Sequence, residues 1–202
     1  MQTTQYLQML TEEIHSATVA TIYSEGHPIT RIIDIMLYDD NGIYFLTAKG
    51  KAFYQQLMEQ QYISLSATNG KKDVSLHGWV KAIGQDKLAE IFQKNPYMQD
   101  IYPKGKRDAL EVFHIYAAQG DFFDISLPTR VTRDNFTIGE YAIQPHGYTI
   151  SDTCIGCGKC IDACPQNCID IISISARIEE KHCLHCGRCV SFCPIGAIRK
   201  IG

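Results

Sequence analysis

Nothing in this chain constrains it as tightly as its cysteines. All nine lie between Cys154 and Cys193, and the 153 residues before them contain none. Within this stretch Cys154-x-x-Cys157-x-x-Cys160-x-x-x-Cys164-Pro165 returns 29 residues later as Cys183-x-x-Cys186-x-x-Cys189-x-x-x-Cys193-Pro194. A motif repeated at a fixed interval marks an internal duplication. Thiols this concentrated point to metal binding rather than to a disulfide framework in a chain of this size.

Each half has the spacing of a bacterial iron–sulfur run. Three closely spaced thiolates wrap one corner of a cubane, and the fourth, carried away on a helical turn, reaches the other cluster. One 4Fe–4S cluster is therefore assigned to Cys154, Cys157, Cys160 and Cys193, the other to Cys183, Cys186, Cys189 and Cys164. Gly156, Gly158 and Gly187 let backbone N–H groups approach cluster sulfurs. Pro165 and Pro194 fix the chain after each exchanged ligand. The flanking segments YTISD (148–152) and AIRKI (197–201) are expected to pair as antiparallel end strands. From Tyr148 to Gly202 the chain resembles a two-cluster ferredoxin. With four thiolates per cluster no iron is left open for substrate, so single-electron relay is the expected role. Structural zinc is the competing reading, but zinc sites usually draw four ligands from two separated pairs. Cys168 has no partner in this scheme. It aligns with Ala197, and a buried, inert thiol is expected there in preference to a reactive or regulatory one.

The rest of the composition is ordinary: 202 residues, 45% hydrophobic, 20% charged, net charge −3. That is enough apolar material for a core. There are 13 basic and 17 acidic residues up to Gly147, then 6 and 5, so neither part asks for nucleic acid. No apolar run reaches the roughly 18 residues of a spanning helix, and MQTTQYLQMLTEEIH lacks the pattern of a secretory signal. A cytoplasmic protein without membrane or nucleic-acid partners is expected.

The first part reads as strand-rich. Residues 4–14 place Leu7, Leu10 and Ile14 at helical spacing behind Thr3 or Thr4. Strands are expected at 17–24, 29–38 and 43–47, with turns at Gly26-His27-Pro28 and at Asp39–Gly42. A helix follows at 51–60 with Phe53, Leu57 and Tyr54 facing inward, then a hairpin of 62–68 and 73–83 around Asn69-Gly70. Further helices are expected at 86–95, stopped by Pro96, and at 106–112. Strands 113–118 and 122–125 complete the domain, with a turn at Gly120-Asp121. Short hairpins with inserted helices predict a closed or partly closed barrel. The division expected is a barrel domain over 1–126, a connection over 127–147 and the cluster domain over 148–202.

GHPITRIIDIML, GIYFLTAKGKAFYQQL and VSLHGWVKAI carry a resemblance to the pyridoxamine 5′-phosphate oxidase-like family of FMN-binding split barrels, from about Thr3 to Ile125. The shared order is a Pro-led strand with a basic residue, a hairpin, a strand ending in Thr, and a Lys opening the next helix. A later strand then bears Gly beside an aromatic. The implied fold is mainly β with added helices, a split β-barrel followed by a small α+β ferredoxin-like domain. The resemblance implies FMN at a homodimer interface, with Arg31, Thr47 and Lys51 on the phosphate and Lys49 nearby. The backbone of Ile32, Ile33 and Asp34 would run beside the flavin ring, with His77 and Trp79 as ring neighbours, from the second subunit. A helix start suits a phosphate, and arginine can clamp one in two places. The bland alternatives are a solvated lysine turn, a surface arginine, a satisfied barrel histidine and a core tryptophan. No Arg-x-His element follows the barrel, so vitamin B6 oxidation is not expected.

Two functions compete. One is an FMN-dependent oxidoreductase passing electrons between clusters and flavin, with an external ferredoxin or reductase at one end and a small organic acceptor or donor at the other. The other is an electron carrier docking to a larger redox partner without a substrate of its own. A cluster-based sensor and a barrel holding haem are weaker alternatives.

Overall fold

A computed structural model describes residues 1–23 and 25–202. The chain divides into two compact units, Met1–Phe122 with Asn135–Ala142, and Phe123–Asp134 with Ile143–Gly202.

The first unit opens with α1 (Thr3–Gln8), which widens into a π-helical turn over Met9–Ile14. Tyr6, Leu7 and Leu10 are buried here, as their spacing requires. The strands are β1 (Ser16–Ile22), β2 (Pro28–Asp34), β3 (Leu37–Asp39), β4 (Gly42–Ala48), β5 (Tyr62–Thr68), β6 (Lys72–Ala82), β7 (Leu110–Asp124) and β8 (Thr132–Ile138). They form one curled half-barrel in the order β2-β1-β5-β6-β7-β4-β3, with β8 beside β7. Three helices are inserted: α2 (Ala52–Gln60), α3 (Leu88–Lys94) and α4 (Met98–Ile101). The core packs Val19, Phe45, Leu65, Leu76 and Phe113 against Phe53 and Leu57 of α2. A second cluster gathers Leu37, Tyr44 and Val112 with Leu88, Ile91 and Phe92 of α3.

Four expectations need correction. The run 29–38 is two strands, broken where Ile35 N–H turns to the His15 carbonyl and Met36 N–H to the Tyr44 carbonyl. No helix forms at 106–112: Leu110 already begins β7, paired with Ala48. Nor does the chain turn at Gly120-Asp121. β7 runs straight through, and Gly120 serves close packing, since a Cβ there would sit 2.2 Å from the Phe136 ring. Finally, 127–147 is no plain connection, because Thr132–Ile138 is a strand of the sheet. Its Phe136 is buried and stacks on Tyr6 at 4.6 Å. The expected strand 17–24 ends at Ile22, and its last residue, Ser24, lies outside the described residues.

The second unit is built on the cysteine repeat. β9 (Gly147–Ile150) pairs with β12 (Ile198–Ile201), and β10 (Ile169–Ile172) with β11 (Ser175–Ile178), both antiparallel. Two five-residue helices, α5 (Lys159–Ala163) and α6 (Arg188–Phe192), follow Gly158 and Gly187, whose φ values of 76° and 77° suit glycine. Cysteine supplies much of this core: Cys160, Cys168, Cys183 and Cys189 are buried with Ile169, Ala176 and Ile198. Among the described residues no helix is long and apolar enough to cross a membrane.

Candidate functional site

The fold sorts eight of the nine cysteines into two sets. Cys154, Cys157, Cys160 and Cys193 line one cavity, walled by Ile155, Ile171, Ala176, Ile195 and Ile198. Cys164, Cys183, Cys186 and Cys189 line another, with Tyr148, Gln166 and Ile178. In each set three thiols come from one half of the repeat. The fourth comes from the other half, carried past the end of α5 or α6. Four soft ligands around one concavity fit a 4Fe–4S cubane, so the donor set passes the chemical test for that group.

Backbone N–H groups already point at these sulfurs. Ala176 N–H reaches Cys154 Sγ at 3.4 Å, His185 N–H reaches Cys183 Sγ at 3.4 Å, and Ala197 N–H reaches Cys193 Sγ at 3.2 Å. The Ala176 and Gly156 amides hold the Cys154 thiol below its ordinary range. At Cys193 burial pushes upward, but the amides of Ile195, Ala197, Ile198 and Gly196 outweigh it and the net shift is downward. The deepest thiols go the other way: burial raises Cys160 and Cys183 and lifts Cys189 to about 11. A bound cation is what makes such thiolates affordable at depth. Cys168, aligned with Ala197, lines the second cavity as well, with its Sγ 3.5 Å from that of Cys164.

The first unit treats the flavin candidates unevenly. Arg31 lies on the inner face of β2, beside the core residue Val19. Its Nη1 donates to Thr21 Oγ1 at 2.7 Å and its Nη2 to Gln56 Oε1 at 2.9 Å, and Thr21 closes the triangle onto Gln56 at 2.6 Å. The guanidinium sits 4.4 Å over the Phe53 ring, against the first turn of α2, and burial lowers its pKa. Lys51 is the residue before that turn. Among the described residues no ion pair reaches Arg31 or Lys51. Thr47 is buried, and its hydroxyl has no hydrogen-bond partner. Two uncompensated cations, a helix start and an orphaned hydroxyl fit an anionic group. Lys49 is committed elsewhere, paired with the mostly buried Glu111 at 3.3 Å.

The remaining candidates divide between the two faces. Ile33 is partly buried against the core. Ile32 is 74% exposed on the other face, beside Thr18. Asp34 accepts from Ser16 Oγ at 2.7 Å and Tyr97 Oη at 2.8 Å. His77 shares the outer face with Ser64 and Ala20. Trp79, two residues on, is 45% exposed and meets Tyr62 edge-on, so the core reading of this tryptophan is wrong. Open grooves of about 520 and 290 Å³ cross this outer face, lined largely by serine and threonine. The chain thus gathers Arg31 and Lys51 near α2 and leaves Ile32, His77 and Trp79 on the opposite side of the sheet.

Sequence reasoning missed several partners. Gln56 had a visible signal, a polar residue beside Leu57 on the buried side of α2. Thr21 and Tyr141 had none: Tyr141 closes over His77 and hydrogen-bonds Tyr62 at 2.9 Å only after the chain has crossed β8.

A mainly β half-barrel of this topology, followed by a paired-cysteine α+β unit, defines a split-barrel protein fused to an iron–sulfur domain. The family model described as pyridoxamine 5′-phosphate oxidase matches residues 3–122, and the 4Fe–4S dicluster domain matches residues 153–197. The chain belongs to the pyridoxamine 5′-phosphate oxidase family and carries a 4Fe–4S dicluster domain at its C-terminal end. No curated protein matches it in sequence. Among solved structures, a NimC/NimA family protein of Clostridium acetobutylicum is similar at 14% identity, over 67% of this chain and 92% of its own, with a TM-score of 0.56. PhzG of Burkholderia lata 383, solved with tetrahydrophenazine-1-carboxylic acid, is similar at 13% identity over 68% and 90%, TM-score 0.50. A C. acetobutylicum protein related to general stress protein 26 is similar at 15% identity over 65% and 90%, TM-score 0.50. The pairing of these two domains suggests redox electron transfer.

Proposed function

We propose that this protein is an FMN- and iron–sulfur-dependent oxidoreductase, moving single electrons between two 4Fe–4S clusters and FMN. The observation that carries the reading is the sorting of eight cysteines into two sets of four, each lining its own cavity, in a chain whose other unit belongs to an FMN-binding type of barrel. Cys154, Cys157, Cys160 and Cys193 hold one cluster, and Cys164, Cys183, Cys186 and Cys189 the other. Arg31, Thr47 and Lys51 hold the flavin phosphate, with Ile32, Ile33 and Asp34 along the ring. When bound, FMN supplies exchange between one-electron carriers and a two-electron substrate. The protein's own part is to fix the phosphate by charge and to shield the deep thiols from water.

A homodimer completes the site. His77 and Trp79 face away from Arg31 within one chain, so in this reading they reach the flavin ring from the second subunit. An external redox protein is the electron partner and a small organic molecule the acceptor or donor. The reducing cytoplasm suits exposed cluster ligands such as Cys157 and Cys186. Vitamin B6 oxidation is not the activity.

The test is anaerobic purification with counts of iron, sulfide and released FMN, followed by titration of the reduced protein with candidate acceptors. About eight iron and one FMN per chain are expected. Eight iron without flavin sinks the FMN assignment. Full cofactor with no acceptor turned over leaves a carrier that docks to a larger redox partner.

A further inference from the structure

The two halves of the repeat differ at one buried position. Four residues after the exchanged cysteine stands Cys168 in the first half and Ala197 in the second. Both are enclosed, with 2% and 1% of their surface exposed. The backbone is alike in each: Ala197 N–H donates to Cys193 Sγ, and the Cys168 amide is among the groups that hold the Cys164 thiol below its ordinary range. What differs is the side chain. Cys168 Sγ lies 3.5 Å from Cys164 Sγ, inside the cavity that Cys183, Cys186 and Cys189 share. The Ala197 methyl offers Cys193 no donor.

We propose that Cys168 is a positioning residue for the cluster held by Cys164, Cys183, Cys186 and Cys189, donating an S–H···S hydrogen bond that raises this cluster's potential above that of its neighbour. The proposal rests on the cluster assignment given under Proposed function. Reduction adds a negative charge to a group that is already anionic, so a donor at a ligand sulfur stabilises the reduced form more than the oxidised one. Enclosed beside the ligand cysteines, the Cys168 thiol has the Cys164 sulfur within hydrogen-bond reach. A thiol is a weak donor, but no water competes for the bond. The wider surroundings act in the same direction. The first cavity is walled by isoleucines and Ala176, whereas the second also meets Tyr148, Gln166 and Arg188.

An EPR-monitored redox titration of the anaerobically purified full-length protein tests this, with iron counted in every sample. The wild type shows two unequal midpoints. Cys168→Ala weakens the reduction equilibrium of the higher one by up to about tenfold, about 59 mV for one electron, and leaves the lower one in place. Cys168→Ser retains a donor and stays within about twofold of wild type. The reciprocal variant, Ala197→Cys, raises the lower midpoint, and it decides the matter if Cys168→Ala fails to assemble both clusters. Eight iron with both midpoints unmoved in Cys168→Ala and Ala197→Cys overturns the proposal alone. Far fewer than eight iron in the wild type sinks the cluster assignment and the proposal with it.

Discussion

At the scale of single residues the telling atoms are those left without a partner. A buried hydroxyl with nothing to bond, as at Thr47, costs on the order of 1–3 kcal/mol. If it waits for the flavin phosphate, Thr47→Val separates two properties. The FMN-free protein is unchanged or more stable in urea, while FMN retention on gel filtration falls several-fold. A parallel loss of both makes Thr47 a packing residue. His114 gives a pH signature. Its ring stacks on Tyr44 at 4.3 Å and bonds the Asn41 carbonyl, and burial holds its pKa below the usual histidine range. The unfolded state, near 6.5, then binds the proton first. The histidine's contribution is therefore present above about 6.5 and is lost as pH falls toward the folded value. Hydrogen exchange of the β4 and β7 amides should accelerate as pH falls below about 6.5, beyond its intrinsic pH dependence, and less so in His114→Gln.

Among elements, β7 decides the architecture of the first unit. It is the strand between β6 and β4, and β8 joins it as well, so three pairings share this one strand, which runs unbroken from Leu110 to Asp124. Gly120 permits this because Phe136 occupies the space of a side chain. Gly120→Ala is expected to destabilise by about 1–3 kcal/mol through overpacking, read as a lower thermal midpoint. Phe136→Leu in the same chain should restore part of the loss. No restoration would place the defect in the backbone of β7 rather than in its packing. The π-helical turn at Met9–Ile14 ends in His15 with φ 68°, and the Leu10 carbonyl there accepts the His15 N–H. An i→i+5 bond of this kind has no signature in apolar spacing, which read the whole segment as α-helix.

For the whole molecule, cysteine's double duty as core residue and candidate ligand has a consequence. The second unit is small and its core is largely thiol, so iron is expected to supply much of its folding energy. Removing iron with a strong chelator under reducing conditions should unfold that unit and spare the first. Trp79, the single tryptophan, lies in β6 and reports on the barrel. The expected outcome is partial loss of circular dichroism with unshifted tryptophan emission. A shifted emission would mean that the barrel fails along with the cluster unit.

The sequence by itself determined the cysteine sets, because ligand spacing is a local property written into a duplicated motif. It determined most strands too, where hydrophobic alternation coincided with a good turn such as Asn69-Gly70. Only the tertiary structure decided the course of β7, the place of 132–138 in the sheet and the exposure of Trp79. These depend on what a residue meets across the fold: a phenylalanine over Gly120, a paired strand beside Leu110, an outer sheet face around Trp79. Arg31 lay between the two cases. Its charge was legible in the chain, but its binding to Thr21 and Gln56 needed β1 and α2 brought to either side of it.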